Sequence, residues 1–359
     1  MQTFRTAALA LLLLTPILRA ADDAPSVAKR PDSFFQSPQA KTFVDNMLTW
    51  QGVGPSAIQA WPKAYNLSKS RQEDAARHLE WDGIATIDNG ASYSELHILA
   101  RTLAFEPDGE RRTRWTTAFT NGLDALLHAQ YKNGGWPQRF PPTAPNQAAY
   151  APHITFNDNA MTRLMVELQL IAEAKAPYTF VDKPHQLAAQ KAFDNGIACI
   201  LNCQITIDGK LTVWCAQHDE NTLAPANGRA YELASLSGQE SAEIADLLMS
   251  LKNPDPRTKA AITAAAAWYD RVKITGKESR SITTPDGKKD RVLADAPGHT
   301  LWARFYDLKT QQPLFAGRDG QPKTSMADVE PERRTGYSWY GAWGDKVAKS
   351  YAQWKKRNP

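Results

Sequence analysis

Two acid–amide pairs and three arginines are the residues of this chain best suited to chemistry. Asp88-Asn89 and Asp158-Asn159 lie at the same place before two apolar-periodic runs, Tyr93 to Leu103 and Met161 to Ala174. Clustered side-chain oxygens of this kind are ligands for a hard cation, and Ca²⁺ takes about 6–8 oxygens. The same residues also read as N-caps of the helices that follow, and spacing alone leaves both readings open. Arg229, Arg304 and Arg318 offer planar guanidinium forks to carboxylates. Their neighbours, Tyr231, Trp302, Tyr306 and Gly317, suit contact with a polar ligand. Arg229 sits in a stretch that is polar, aromatic and charged at once, from Trp214-Cys215-Ala216-Gln217-His218-Asp219-Glu220 to Ser237-Gly238-Gln239-Glu240-Ser241. His153 and His218 are candidate general bases or structural histidines. The chain has no Gly-x-Ser-x-Gly, no phosphate-binding loop and no dinucleotide fingerprint.

A helical repeat positions these residues. Ala118-Phe119-Thr120-Asn121-Gly122-Leu123, running on to Gln130, matches Ala192-Phe193-Asp194-Asn195-Gly196-Ile197, running on to Gln204. Each copy continues through a glycine-containing loop to a tryptophan, Trp136 or Trp214. Ser237-Gly238-Gln239-Glu240 opens a third apolar run, Ile244 to Leu251, and Pro254-Asp255-Pro256 leads into an alanine-rich helix. Roughly three units of about 70–80 residues, each alternating two helices, predict a closed (α/α)3 toroid. Beyond Gly276 the helical pattern stops. Pro285-Asp286-Gly287 predicts a hairpin turn, and Gly317-Arg318-Asp319-Gly320 another turn. Leu301 to Tyr306 alternates as a strand would, with Leu301, Ala303 and Phe305 opposite Trp302, Arg304 and Tyr306. Lys346 to Trp354 reads as a closing amphipathic helix. The expected fold is therefore mainly α with a small strand-containing C-terminal part.

Composition sets the compartment. Arg5 precedes the apolar run Ala7–Leu14, and small residues follow, so residues 1–20 read as a cleavable secretory signal. Pro-, Asp- and Ser-rich residues 21–40 read as an exposed leader, and residues 41–359 as the main domain, the catalytic one if the chain is an enzyme. No stretch reads as a membrane span. Without residues 1–20 the chain keeps 40 Lys and Arg against 38 Asp and Glu, so nothing global favours nucleic acid. Cys199, Cys203 and Cys215 are three buried thiols, or Cys203–Cys215 forms a disulfide. A monomer is expected, either secreted or periplasmic.

Several of these stretches together resemble the pectate lyases of polysaccharide lyase family 10. They are Asp88-Asn89-Gly90-Ala91-Ser92-Tyr93, Gly134-Gly135-Trp136-Pro137-Gln138, Phe156-Asn157-Asp158-Asn159-Ala160, Trp214 to Asp219 and Arg229-Ala230-Tyr231-Glu232. The likeness continues through Trp302-Ala303-Arg304-Phe305-Tyr306 and Arg318 to Tyr337-Ser338-Trp339-Tyr340. It departs at Ser92, where the family motif has threonine. The resemblance implies an (α/α)3 toroid that cleaves α-1,4-polygalacturonate by Ca²⁺-assisted β-elimination, giving 4,5-unsaturated oligogalacturonides. It implies that Asp88, Asn89 and Asp158 form the calcium and catalytic cluster, with Arg229 as the base that removes the C5 proton. It implies that Arg304 and Arg318 hold substrate carboxylates. Arginine is an awkward base, because its pKa lies above about 12. Crowded cations would favour its neutral form, and an alkaline optimum follows. Two alternatives remain: a glycoside hydrolase using Asp158 and Asp219, or a pectin-binding protein without catalysis.

Overall fold

The computed structural model describes residues 22–52, 58–63, 65–74, 84–142 and 148–358. The expected signal at 1–20 lies outside them. The helices are α1 (Ala24–Val27), α2 (Asp32–Phe35), α3 (Pro38–Leu48), α4 (Tyr93–Leu103), α5 (Glu110–His128), α6 (Ala160–Ala172), α7 (Lys183–Cys203), α8 (Glu240–Ser250), α9 (Pro256–Arg271), α10 (Pro331–Gly336) and α11 (Trp343–Arg357). They form the predicted (α/α)3 toroid. α4, α6 and α8 are largely buried and touch in sequence as an inner layer, while α5, α7 and α9 bury one stripe and form the outer layer. The two layers begin differently. Outer helices α7 and α9 are capped by Asp182 and Asp255, each followed closely by proline, and both caps accept a backbone N–H bond. Inner helices α4, α6 and α8 have no side-chain cap.

One glutamine per unit joins the outer helices. Gln51 Nε2 donates to Ala118 O at 2.7 Å, Gln130 Nε2 to Ala192 O at 2.8 Å, and Gln204 Nε2 to Ala261 O at 3.1 Å. The same nitrogens also donate to the loop carbonyls of Gln59, Gly134 and Thr212. One tryptophan per unit closes the loop. The indoles of Trp61, Trp136 and Trp214 donate to Met47 O, Leu126 O and Ile200 O at 3.0, 2.8 and 2.7 Å. All three rings are buried, so each N–H needs such a partner. The first copy, Gln51 and Trp61, extends the two copies legible in the sequence.

Three short antiparallel pairs repeat with the helices. Ala85–Thr86 pairs with Arg139–Phe140, Ile154–Thr155 with Gln217–His218, and Leu236–Ser237 with Phe305–Tyr306. The first strand of each pair leads into an inner helix. The C-terminal hairpin forms as predicted: Ile274–Thr283 pairs with Lys289–Ala303, with Thr283 opposite Lys289 around the Pro285-Asp286-Gly287 turn. Leu301 to Tyr306 departs from a half-solvated strand, since all six residues are buried and pairing breaks at Arg304. The Trp302 indole is taken up by Tyr269 O at 2.8 Å. Helix α11 closes the chain, burying Val347 and Trp354.

The leader is a correction. Val27 and Phe35 are fully buried, Leu67 N donates to Asp22 O at 2.8 Å, and the Arg101 guanidinium lies 3.8 Å from the Phe35 ring centroid. A few apolar residues at helical spacing anchor a segment whose average composition is polar. All three cysteines are free and buried, and Cys203 is not bonded to Cys215.

His218 is structural. Its ring is fully buried, Nδ1 donates to Leu223 O at 2.9 Å, and Nε2 accepts from Cys215 N at 3.1 Å. Burial lowers its pKa to about 4, against the rise from those backbone bonds. Two predictions follow from these packing observations. Phe35→Ala costs about 3–5 kcal/mol in urea unfolding, whereas an exposed leader would give a change near zero. His218 stays neutral in the folded protein while the unfolded ring protonates below its usual pKa of about 6.5. Its contribution is therefore complete above that pH and is lost as pH falls towards about 4. His218→Gln flattens this part of the stability–pH curve; an unchanged slope would contradict it.

Candidate active site

The strands before the inner helices end in turns that build a polar pocket. Asp88–Gly90 and Asn157–Asn159 are single 3₁₀ turns, with left-handed backbone at Asn89 (φ 51°) and Asp158 (φ 49°). Asn and Asp tolerate this region better than other side-chain-bearing residues. The turns correspond as Asp88 with Asn157 and Asn89 with Asp158, one residue away from the alignment the repeated Asp-Asn letters suggest. In the third unit Glu240 takes the place of Asn89 and Asp158, three residues after the strand residue Ser237.

The pocket is lined by Lys63, Asp88, Asn89, Gln138, Arg139, Tyr150, Asn157, Asp158, Gln217, Arg229 and Glu232. Asp88, Asn89, Asp158 and Arg229 thus converge as expected. Asn157 lines the pocket in place of Asn159, whose Oδ1 is buried without a partner among the described residues. None of these acids or amides caps a helix with its side chain. Asp88 pairs with Lys63, and its N–H donates to Thr86 Oγ1 at 3.0 Å. Asp158 Oδ2 accepts from Asn157 Nδ2 at 3.0 Å, and its Oδ1 accepts from Arg304 Nη2 at 3.0 Å.

Arg304 differs from an open carboxylate clamp. Its side chain is 4% exposed and its guanidinium also reaches Glu240 Oε1 at 2.6 Å. It lies behind Asp158, committed to two carboxylates. Arg318 is exposed on its predicted turn and forms a fork with Glu332, Nε to Oε2 at 3.1 Å and Nη2 to Oε1 at 2.9 Å. Arg333 shares Glu332 and lies 4.8 Å from the Tyr231 ring centroid, the ring that Arg229 also approaches.

Arg229 gives Nε and Nη2 to Glu232 and leaves Nη1 outside that fork. Glu232 also accepts from Arg229 N at 3.0 Å and from the Tyr337 hydroxyl at 2.8 Å. Gly228 permits this approach, because a Cβ there would meet Glu232 Oε2 at 2.7 Å. Burial alone would lower the Arg229 pKa, but the hydrogen bond and charge of Glu232 raise it above its ordinary value. Burial likewise opposes the Glu232 charge, and Arg229 overcomes it to lower the Glu232 pKa. The nearest charge to Arg229 among the described residues is thus a carboxylate, which favours its protonated form.

The donor set fits a hard cation. Asp88, Asn89, Asn157 and Asp158 bring oxygens to one pocket, and Gln217 Oε1 is a buried pocket oxygen with no hydrogen-bond partner among the described residues. Lys63, Arg139 and Tyr150 were not singled out in the sequence, whereas Gln138, Gln217 and Glu232 stand in stretches singled out there without a role of their own. The signal for Lys63 and Gln138 was a shared Trp-Pro-x, Trp61-Pro62-Lys63 and Trp136-Pro137-Gln138. Asp219 does not line the pocket, and its Oδ1 is taken by Asn221 N, Thr222 N and Thr222 Oγ1. The pairing of Asp158 with Asp219 that the hydrolase alternative names is therefore not formed in this pocket.

A family model described as pectic acid lyase matches residues 57–348. Two solved structures align over 90% of this chain at 28% identity and a TM-score of 0.73. One is a family 10 polysaccharide lyase from Cellvibrio cellulosa, covered over 95% of its length. The other is a mutant of a family 10 polysaccharide lyase from the same organism in complex with trigalacturonic acid, covered over 96%. No curated protein matches the chain. With the toroid, the converging acid and amide turns and a family match over most of its length, the chain belongs to the pectic acid lyase family.

Proposed function

We propose that this pectate lyase is a secreted monomer that cleaves polygalacturonate by calcium-dependent β-elimination, with Asp88, Asn89 and Asp158 as cation ligands and Arg229 as base. The observation that carries the reading is the convergence of those three oxygen-bearing residues beside Arg229 in one polar pocket. Ca²⁺ bound there would draw charge from a uronate carboxylate and acidify the C5 proton. Arg229 takes that proton, the C4–O bond breaks, and a C4=C5 double bond forms. The Nη1 nitrogen, free of the Glu232 fork, is the acceptor. Because Glu232 holds Arg229 protonated, the base form grows only at high pH, and an alkaline optimum is expected. Arg304 acts from behind, fixing Asp158. Arg318 receives a further uronate carboxylate in exchange for Glu332.

The proposed calcium ligands make Asp158→Ala inactive at low calcium, with part of the activity restored by excess. Release of unsaturated product, followed by ultraviolet absorbance with and without a chelator, is the measurement; full activity of this variant in chelator would remove Asp158 from the metal. For the base, Arg229→Ala lowers kcat and kcat/KM together, and Arg229→Lys is also severely impaired. Glu232→Gln removes the charge that holds Arg229 protonated, so the rise of its pH–rate profile moves to lower pH. Near wild-type kcat in folded Arg229→Ala, with folding checked by circular dichroism, would reject Arg229 as the base.

A further inference from the structure

His153 and Asp219, singled out in the sequence for other roles, come together with Glu220 outside the pocket. The strand pair Ile154–Thr155/Gln217–His218 sets this meeting. Ile154 faces His218, so one step further along the ladder brings His153 opposite Asp219, with Glu220 next. One ligand atom from each of the three residues lies within 4.8 Å of the others. His153 Nδ1 is 3.0 Å from Glu220 Oε2.

The backbone around them is held in place. Asp219 N donates to Ala224 O at 2.9 Å, and Asn133 Nδ2 donates to Glu220 O at 2.7 Å. The Asp219 Oδ1 bonds to the 221–222 turn leave Oδ2 as its ligand atom. Among the described residues neither carboxylate pairs with a lysine or arginine, and His153 is the only ion-pair partner of Glu220. Two carboxylates against one imidazole make the cluster a partly buried site rich in carboxylate oxygen.

We infer that His153, Asp219 and Glu220 form a second metal site, for Zn²⁺ or a similar divalent transition ion. One nitrogen and two carboxylate oxygens are a borderline donor set. Three protein ligands of this type with an open position suit Zn²⁺, with distances of about 2.0–2.2 Å. A calcium site would take oxygens alone. The strand pair joins this cluster to the Asn157–Asp158 turn, which begins two residues after Thr155. A bound ion fastens the 219–224 loop to that ribbon. The inference does not depend on the calcium reading of the pocket.

The test is calorimetric titration of the metal-free full-length mature chain with Zn²⁺, in excess Ca²⁺ to fill the proposed pocket site. The wild type binds one Zn²⁺ with micromolar or better affinity. His153→Ala and Glu220→Gln, two independent variants in case one fails to fold, each weaken binding roughly tenfold or more. Asp158→Ala keeps the wild-type affinity. No Zn²⁺ binding by the wild type, or wild-type affinity in both cluster variants, overturns the site; loss of binding in Asp158→Ala alone assigns the ion to the pocket and overturns it equally.

Discussion

The burial of Arg304 is the constraint on which the rest of the structure depends. A guanidinium this deep must be paired, because an uncompensated buried charge costs several kcal/mol. Glu240, itself fully buried at the start of α8, supplies one carboxylate, and Asp158 on the second unit's turn supplies the other. The backbone repeats the link: Gly238 N donates to Arg304 O, and Arg304 N donates to Trp339 O, both at 2.7 Å. A Cβ on Gly238 would meet Ala303 O at 2.2 Å, so glycine is needed for that approach. The strand-containing C-terminal part thus fastens onto the third unit and at the same time orients a pocket residue of the second.

The three units share a scaffold and divide its use. Each has a strand, a tight turn, an uncapped inner helix, an outer helix, and a glutamine and tryptophan that satisfy carbonyls across the ring. At the corresponding turn position stand Asn89, Asp158 and Glu240. The first two face the pocket; the third turns inward to neutralise Arg304. No side-chain cap turns Asp88, Asn89 or Asp158 back onto a helix; Asp88 pairs with Lys63 and Asp158 with Arg304 and Asn157 at the pocket. Capping occurs elsewhere, at α1, α3, α7 and α9, where Asp23, Ser37, Asp182 and Asp255 do that work away from the pocket. This separation argues against the capping reading of these residues and leaves the cation reading as the proposal.

What the sequence made legible follows from how local each signal is. Hydrophobic period and the Gln130/Gln204 and Trp136/Trp214 matches reveal the toroid, because each unit must make the same hydrogen bonds. The Asp-Asn letters misplace the second turn by one residue, since the true correspondence is in backbone conformation, shared by Asn89 and Asp158. Lys63 escapes notice because its unit keeps only Trp-Pro before it. The leader is misread because composition averages away Val27 and Phe35. Arg304 is recognised as important, but its burial depends on Glu240, 64 residues away in sequence, and no local pattern reports that.

The charges around the pocket are already neutralised in pairs: Lys63 with Asp88, Arg229 with Glu232, Arg304 with Asp158 and Glu240, and Arg318 with Glu332. This pairing lets a nearly neutral protein keep many cations in one region without mutual repulsion. It also sets what a polyanion must do to bind. A uronate carboxylate gains little from a guanidinium unless it can replace the carboxylate already there. That exchange is easiest at exposed Arg318, harder at half-buried Arg229, and closed at Arg304, whose side chain is 4% exposed. The gradient in burial supports the proposed roles of Arg318 as a clamp that trades partners, Arg229 as the base and Arg304 as a support for Asp158. In the proposed exchange an esterified uronate would bring no charge with which to displace these carboxylates, so discrimination against it is expected from the same pairs.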